Sequence, residues 1–197
     1  MDTDKHGWQK QKAELRAKIR AALREISPAT RETASRNLCA KLKQQSFFQT
    51  AATVLFFAPL PDEVDVWPLL QEAIASNKIV VLPRFDSAAK SYVACRVQNL
   101  RSEIVTGQFG VREAKAGCAE IPLTNVDLAF VPGVAFDLRG CRLGRGRGFY
   151  DRLLTEVRGV KCGVAFDEQI VDEVPKESHD IRMNFIVTPA RCAFVKS

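Results

Sequence analysis

Histidine is scarce in this chain: His6 and His179 are the only two in 197 residues. The six cysteines, Cys39, Cys95, Cys118, Cys141, Cys162 and Cys192, are dispersed, and no two form a C-x-x-C pair. Structural zinc sites need such pairs or clustered histidines, so a zinc site is not expected and the thiols read as reduced. A Ser-His-Asp or Cys-His constellation is also missing. His179 is a candidate catalytic residue, but without a partner triad a loop histidine reads more readily as a surface or structural one. No apolar run approaches the roughly 18 residues that span a bilayer. The opening stretch MDTDKHGWQKQKAELR has no apolar h-region. No secretory signal is therefore expected, and the expected compartment is the cytoplasm.

What is present is an ordinary globular composition, 46% hydrophobic and 26% charged. The length fits one domain spanning residues 1–197, able to bury roughly 70% of its unfolded surface. The net charge is +6, and it is uneven. Residues 1–45 hold eleven Lys/Arg against five Asp/Glu, a surplus equal to that of the whole chain. Such a surplus fits an anionic partner (nucleic acid, a membrane surface or a polyphosphate ligand) or simply a solvated helical face.

Leu15, Ile19, Leu23 and Ile26 recur at helical spacing and predict an amphipathic helix over Lys10–Ile26. Ser27-Pro28 supplies an N-cap and a first-turn proline for a second helix, to about Gln44. A short helix is expected over Val66–Ser76, with Pro68 in its first turn. AATVLFFAP, KIVVLPRF, SYVACRV, VDLAFVPG, VKCGVAF and NFIVT read as strands. Leu100–Asn125, rich in glycine, reads as mostly loop. Phe149–Val157 suits a helix. Short apolar strands alternating with helices predict an α/β fold: a single-domain three-layer sandwich whose largely parallel sheet is covered by helices on both faces.

The stretch RLGRGRGFYD, Arg142 to Asp151, is neither a good strand nor a good helix. It follows Asp137-Leu138-Arg139-Gly140, which has the residues of a type I turn. Gly144, Gly146 and Gly148 allow backbone N–H groups to turn inward as an anion-binding nest. A helix start at Phe149 adds unpaired N–H groups and a positive dipole end. Arg142, Arg145 and Arg147 bring donors suited to phosphate oxygens. The stretch reads as a polyphosphate cradle, with a plain structural loop and a single-stranded RNA grip as alternatives. It is not a Walker A loop, lacking G-K-[S/T], nor the Rossmann fingerprint. Asp151, in the first helical turn, fits a helix-start acid or a magnesium ligand.

PGVAFDLRGCRLGRGRGFYDRLL resembles the signature of the 5-formyltetrahydrofolate cyclo-ligase (5,10-methenyltetrahydrofolate synthetase) family. KAELRAKIR, PLPDEVDVWPLL and VPKESHDIRMNFIVT resemble further family segments, in family order across almost the whole chain. The resemblance implies an enzyme dependent on ATP and Mg2+. It would convert 5-formyltetrahydrofolate, possibly polyglutamated, to 5,10-methenyltetrahydrofolate, with neither nucleic acid nor membrane as partner and with a monomer as the expected state. A related ATP-dependent enzyme acting on another formyl or amide compound is the alternative. Carried over position by position, Lys12 and Arg16 match a basic pair on the ATP phosphates, with Lys12 and Arg145 in the catalytic role. Arg142 and Gly144 to Tyr150, including Gly146, Arg147, Gly148 and Phe149, match the ATP loop. Asp151 and Asp180 match magnesium carboxylates. Ala58, Glu63, Phe109 and Tyr150 match the folate side. Arg147 and Phe149 depart from the usual loop residues, Asn184 stands where a second aspartate is common, and FGVREA lacks the usual proline.

Overall fold

The computed structural model describes residues 3–107, 110–175 and 180–195, so Phe109 and His179 lie outside the described residues. The chain opens with α1 (Thr3–Arg24), which starts earlier than the predicted Lys10. Then comes α2 (Pro28–Lys43), whose N-cap Ser27 accepts a hydrogen bond from the Thr30 N–H at 3.1 Å, as Ser-Pro predicted. A short α3 (Ser46–Thr50) leads into β1 (Thr53–Leu55), α4 (Trp67–Ala75), β2 (Ile79–Asp86) and β3 (Ser91–Val97). Leu100–Asn125 is mostly loop, as expected, but not entirely. It contains a hairpin, β4 (Ile104–Thr106) with β5 (Arg112–Ala114), tied to β2 where Glu113 Oε2 accepts from the Phe85 N–H at 3.1 Å. The chain continues through β6 (Leu128–Val131), β7 (Ala135–Asp137), β8 (Arg142–Leu143) and α5 (Phe149–Glu156). It ends with β9 (Val160–Val164), β10 (Ile170–Val171), β11 (Phe185–Val187) and β12 (Cys192–Phe194).

Among the described residues, seven strands form the main sheet in the order β12-β11-β9-β6-β1-β2-β3. The inner five run parallel, and each edge is closed by an antiparallel strand, β3 on β2 and β12 on β11. Strand β1 contributes Val54 to one face and Leu55 to the other, both fully buried. One core holds Val54 with Ile19 and Leu23 of α1, Leu38 and Leu42 of α2, and Leu69 and Leu70 of α4. The other holds Leu55 with Leu153 and Leu154 of α5. Helices therefore cover both faces, as a buried parallel sheet requires.

After β1 the chain winds outward to β2 and β3, then returns to place β6 on the other side of β1. That reversal leaves a crevice beyond the carboxyl ends of β1 and β6, where ligands of open α/β sheets gather. A small second sheet, β10-β7-β8, stands beside it. Its hairpin turns through Gly140, at φ +87°, where a Cβ would approach the Met183 carbonyl oxygen to 2.8 Å. The buried Asp137 carboxylate organises this turn. It accepts from the N–H groups of Arg139 (2.9 Å), Cys141 (3.0 Å) and Val174 (2.9 Å). Asp137→Ala orphans the buried Cys141 and Val174 donors, so chemical denaturation should show a loss of about 3 kcal/mol. A loss below about 1 kcal/mol would mean that water or a shifted backbone replaces the carboxylate.

Candidate active site

A cavity of about 440 Å³ occupies the crevice. Phe57 and Ala58 line it just beyond β1, Pro132 and Gly133 just beyond β6, and Pro83 from β2. The Gly144–Gly148 loop and the start of α5 form another wall. Gly146 (φ +99°) and Gly148 (φ +63°) hold left-handed conformations, and Gly148 is the N-cap of α5. A side chain at either position would strain the loop, which explains two of its three glycines.

The three loop arginines have different settings. Arg142 is buried. Its Nη2 donates to Asp151 Oδ1 at 2.5 Å and its Nη1 to the Pro132 carbonyl at 3.3 Å. Its Nε is buried without a hydrogen-bond partner among the described residues. Arg145 reaches across the cavity. Its Nη2 donates to Asp62 Oδ1 at 2.6 Å and to Glu63 Oε1 at 3.0 Å, and its Nε to Glu63 Oε1 at 3.2 Å. Arg147 lies near Tyr92 at the cavity wall, where burial and then Glu113 push the phenol's pKa up against the opposing charge of Arg147.

Two of these settings shift protonation. Burial pushes the Glu63 carboxyl up, against the pull of the Leu60 N–H and of Arg145. Burial works to lower the Arg145 value, but Asp62 and Glu63 outweigh it and hold the guanidinium above its ordinary range. For Glu63 the sign is clear: below its ordinary value of 4.5 it is protonated in both folded and unfolded chains. Above that value the fold keeps a proton that the unfolded chain has released, so this contribution to stability is lost as pH rises through the folded value. Melting curves from about pH 4 to 8 should show that decline in the native chain and not in Glu63→Gln. Parallel curves would place the titration elsewhere.

Helix α1 approaches the loop from the other side. Arg16 Nε donates to the Gly144 carbonyl at 2.9 Å, and its guanidinium lies beside Gly146. Burial, with Arg20 nearby, lowers the Arg16 value. One turn earlier, Lys12 Nζ pairs with Asp180 Oδ2 at 3.5 Å. The structure thus brings Ala58, Glu63, Arg142, Gly144, Arg145, Arg147, Gly148, Phe149, Tyr150 and Asp151 around one cavity. It sets Arg16 against the loop. Lys12 and Asp180 are joined to each other and are not among the cavity-lining residues.

Several lining residues were not singled out from the sequence. Arg20 lies one helical turn beyond Arg16, so the spacing that paired Lys12 with Arg16 also reaches it. Tyr92 had no local signal. It faces Phe85 across the β2–β3 pair and packs edge-on to Phe149, with ring centroids 5.2 Å apart. Asp62 is not in the lining but bonds to Arg145, and nothing local sets it apart from its neighbour Glu63.

A doubly wound sheet with a charged, glycine-lined cavity at its point of reversal is the arrangement in which α/β enzymes hold small ligands. The 5-formyltetrahydrofolate cyclo-ligase family matches residues 8–189. A 5-formyltetrahydrofolate cyclo-ligase of Escherichia coli K12 is 30% identical over 177 residues, covering 88% of this chain and 97% of the relative. That of Mus musculus is 27% identical, covering 88% and 91%. The solved 5,10-methenyltetrahydrofolate synthetase of Aquifex aeolicus superposes with a TM-score of 0.85 at 32% identity, covering 94% of this chain and 93% of that one. The chain belongs to the 5-formyltetrahydrofolate cyclo-ligase family.

Proposed function

We propose that this chain converts 5-formyltetrahydrofolate to 5,10-methenyltetrahydrofolate, consuming ATP in the presence of Mg2+ and releasing ADP and phosphate. The observation that carries the reading is one cavity at the sheet's switch point. It is lined on one side by the glycine-arginine loop and on the other by Ala58 and the buried Glu63. The first side suits a polyphosphate. The second suits a 2-aminopyrimidinone edge, whose paired N–H groups donate to a carboxylate.

The chemistry asks little of protein nucleophiles. A formamide oxygen is a poor leaving group until it accepts the γ-phosphoryl group of ATP. N10 of the same substrate then attacks the activated carbon, the C–O bond breaks as the ring closes, and phosphate departs with the proton that N10 gives up. The protein must position the two substrates and neutralise charge. Arg145 and Lys12 neutralise the transferring group, while Arg16, Arg142, Arg147 and the loop N–H groups hold the remaining phosphates. Tyr150 and Phe149 pack where the two substrates meet.

Magnesium fits the residues present. Magnesium in phosphoryl-transfer sites usually takes one or two carboxylates, completing its shell with phosphate and water. The described residues contain no cluster of three metal-ligating side chains. Asp151 lines the cavity and spends one oxygen on Arg142, leaving Oδ2 for a metal. Asp151 would hold the ion, with Asp180 a second carboxylate only on leaving Lys12, and the ion would supply charge neutralisation at the phosphate oxygens. The carboxylates of Asp62, Glu63 and Asp151 among the arginines weigh against a nucleic-acid backbone as ligand. We read residues 1–197 as one functional unit, a monomer acting in the cytoplasm on a soluble folate, polyglutamated or not. No described helix is long and apolar enough to cross a membrane.

The test is the absorbance of methenyltetrahydrofolate on mixing protein, Mg-ATP and 5-formyltetrahydrofolate. A rise that needs all three components supports the reading. No rise with nucleotide binding intact would move the reaction to another formyl or amide substrate.

A further inference from the structure

Arg145 and Glu63 are assigned above to different substrates, yet in the structure they bond to each other across the cavity. Their contact does not stand alone. Asp62, adjacent in the chain and without a role so far, takes the shortest bond of the group, 2.6 Å from Arg145 Nη2. The turn that carries both carboxylates is fixed by Leu60, whose N–H donates to Glu63 Oε2 at 3.0 Å and whose carbonyl accepts from the Glu63 N–H. Arg145, by contrast, sits between Gly144 and Gly146 in a glycine-rich loop. The carboxylate side is anchored by its own turn, and the loop by Arg16 at Gly144, so the long Arg145 side chain is the part that can swing between partners.

Resting on the proposed function, we propose that Asp62 is a positioning residue: it holds Arg145 against Glu63, so that nucleotide and folate each favour the other's binding. The physical reason is charge accounting. The Glu63 side chain is only 9% exposed. A phosphate that draws Arg145 away by itself leaves the Glu63 carboxyl either unpaired or obliged to take up a proton, and each of these costs free energy at neutral pH. A pteridine edge donating to Glu63 removes that cost. A pteridine that takes Glu63 in turn releases guanidinium donors to phosphate. The coupling is reciprocal, as linkage requires. Asp62, more exposed than Glu63, sets how firmly Arg145 is retained, because its bond persists when Glu63 is taken.

The experiment is calorimetric titration of the whole chain with Mg-β,γ-methylene-ATP and with 5-formyltetrahydrofolate, each alone and each in the presence of the other. In the native chain each ligand should tighten the other by about fivefold or more. Asp62→Asn should tighten the nucleotide alone and shrink the mutual effect towards one, and Asp62→Glu should restore it. A merely structural Asp62 would lower the melting temperature and leave the ratio of dissociation constants unchanged. Binding of both ligands with no mutual effect overturns the proposal alone, as does coupling that Asp62→Asn leaves intact. Failure of either ligand to bind overturns the functional reading together with it.

Discussion

Arg145→Ala is expected to lower kcat/KM for ATP by roughly 100- to 1,000-fold, the range seen when one preorganised donor to a developing charge is removed. Its effect on folding should be far smaller. The side chain crosses the cavity and supports no core residue. Its main structural partner, Glu63, already has an elevated pKa through burial and can take up a proton when the guanidinium is gone. The melting temperature should therefore fall by only a few degrees, and least in acid. Arg145→Lys restores the charge without the planar fork, so it should recover only part of the activity. Steady-state kinetics beside thermal denaturation separates the cases. A chain that loses its fold, or one that keeps its turnover, would remove Arg145 from the catalytic role.

Asp151→Asn should damage both stability and turnover, because Asp151 serves two groups. It is the ion-pair partner of Arg142, whose side chain is 4% exposed. Removing the charge leaves a buried guanidinium uncompensated, at a cost of about 3 kcal/mol or more. Turnover should fall at least about 100-fold if the same carboxylate also holds magnesium. The discriminating measurement is the magnesium concentration for half-maximal rate in the residual activity. A shift to higher magnesium supports metal binding. An unchanged midpoint beside a lowered melting temperature would make Asp151 the structural partner of Arg142 only.

The parts of the fold that were legible carry their own local signals. Ser27-Pro28 marks the start of α2 because a hydroxyl cap and a proline each act within one turn. The apolar runs at β1, β2, β6 and β9 mark inner strands because both of their faces are buried. What was not legible depends on partners distant in sequence. The hairpin of β4 and β5 has strands of three residues, too short for a periodic pattern, and gains its place through Glu113 and Phe85. The small sheet of β7, β8 and β10 hides within turn-rich sequence for the same reason. At the site, the glycine-arginine spacing pointed to the loop, but not to the division of labour within it. Nothing local distinguishes the buried, Asp151-bound Arg142 from the cavity-spanning Arg145. Asp62 and Arg145 meet across 83 positions, a pairing that only the sheet's reversal creates.

The clasp between α1 and the glycine-arginine loop has a consequence for how the protein is made. Arg16 bonds to Gly144 across 128 positions, and Lys12 to Asp180 across 168. At ribosomal speeds the first helix waits on the order of ten seconds before its loop partner emerges. During that time its apolar stripe of Ile19 and Leu23 can pack on the early strands, but its cations have nowhere to dock. The substrate site therefore cannot come together before the glycine-arginine loop has emerged. A nascent chain stopped short of β8 has the amphipathic helix with its cations and half the sheet, but no loop to complete a phosphate cradle.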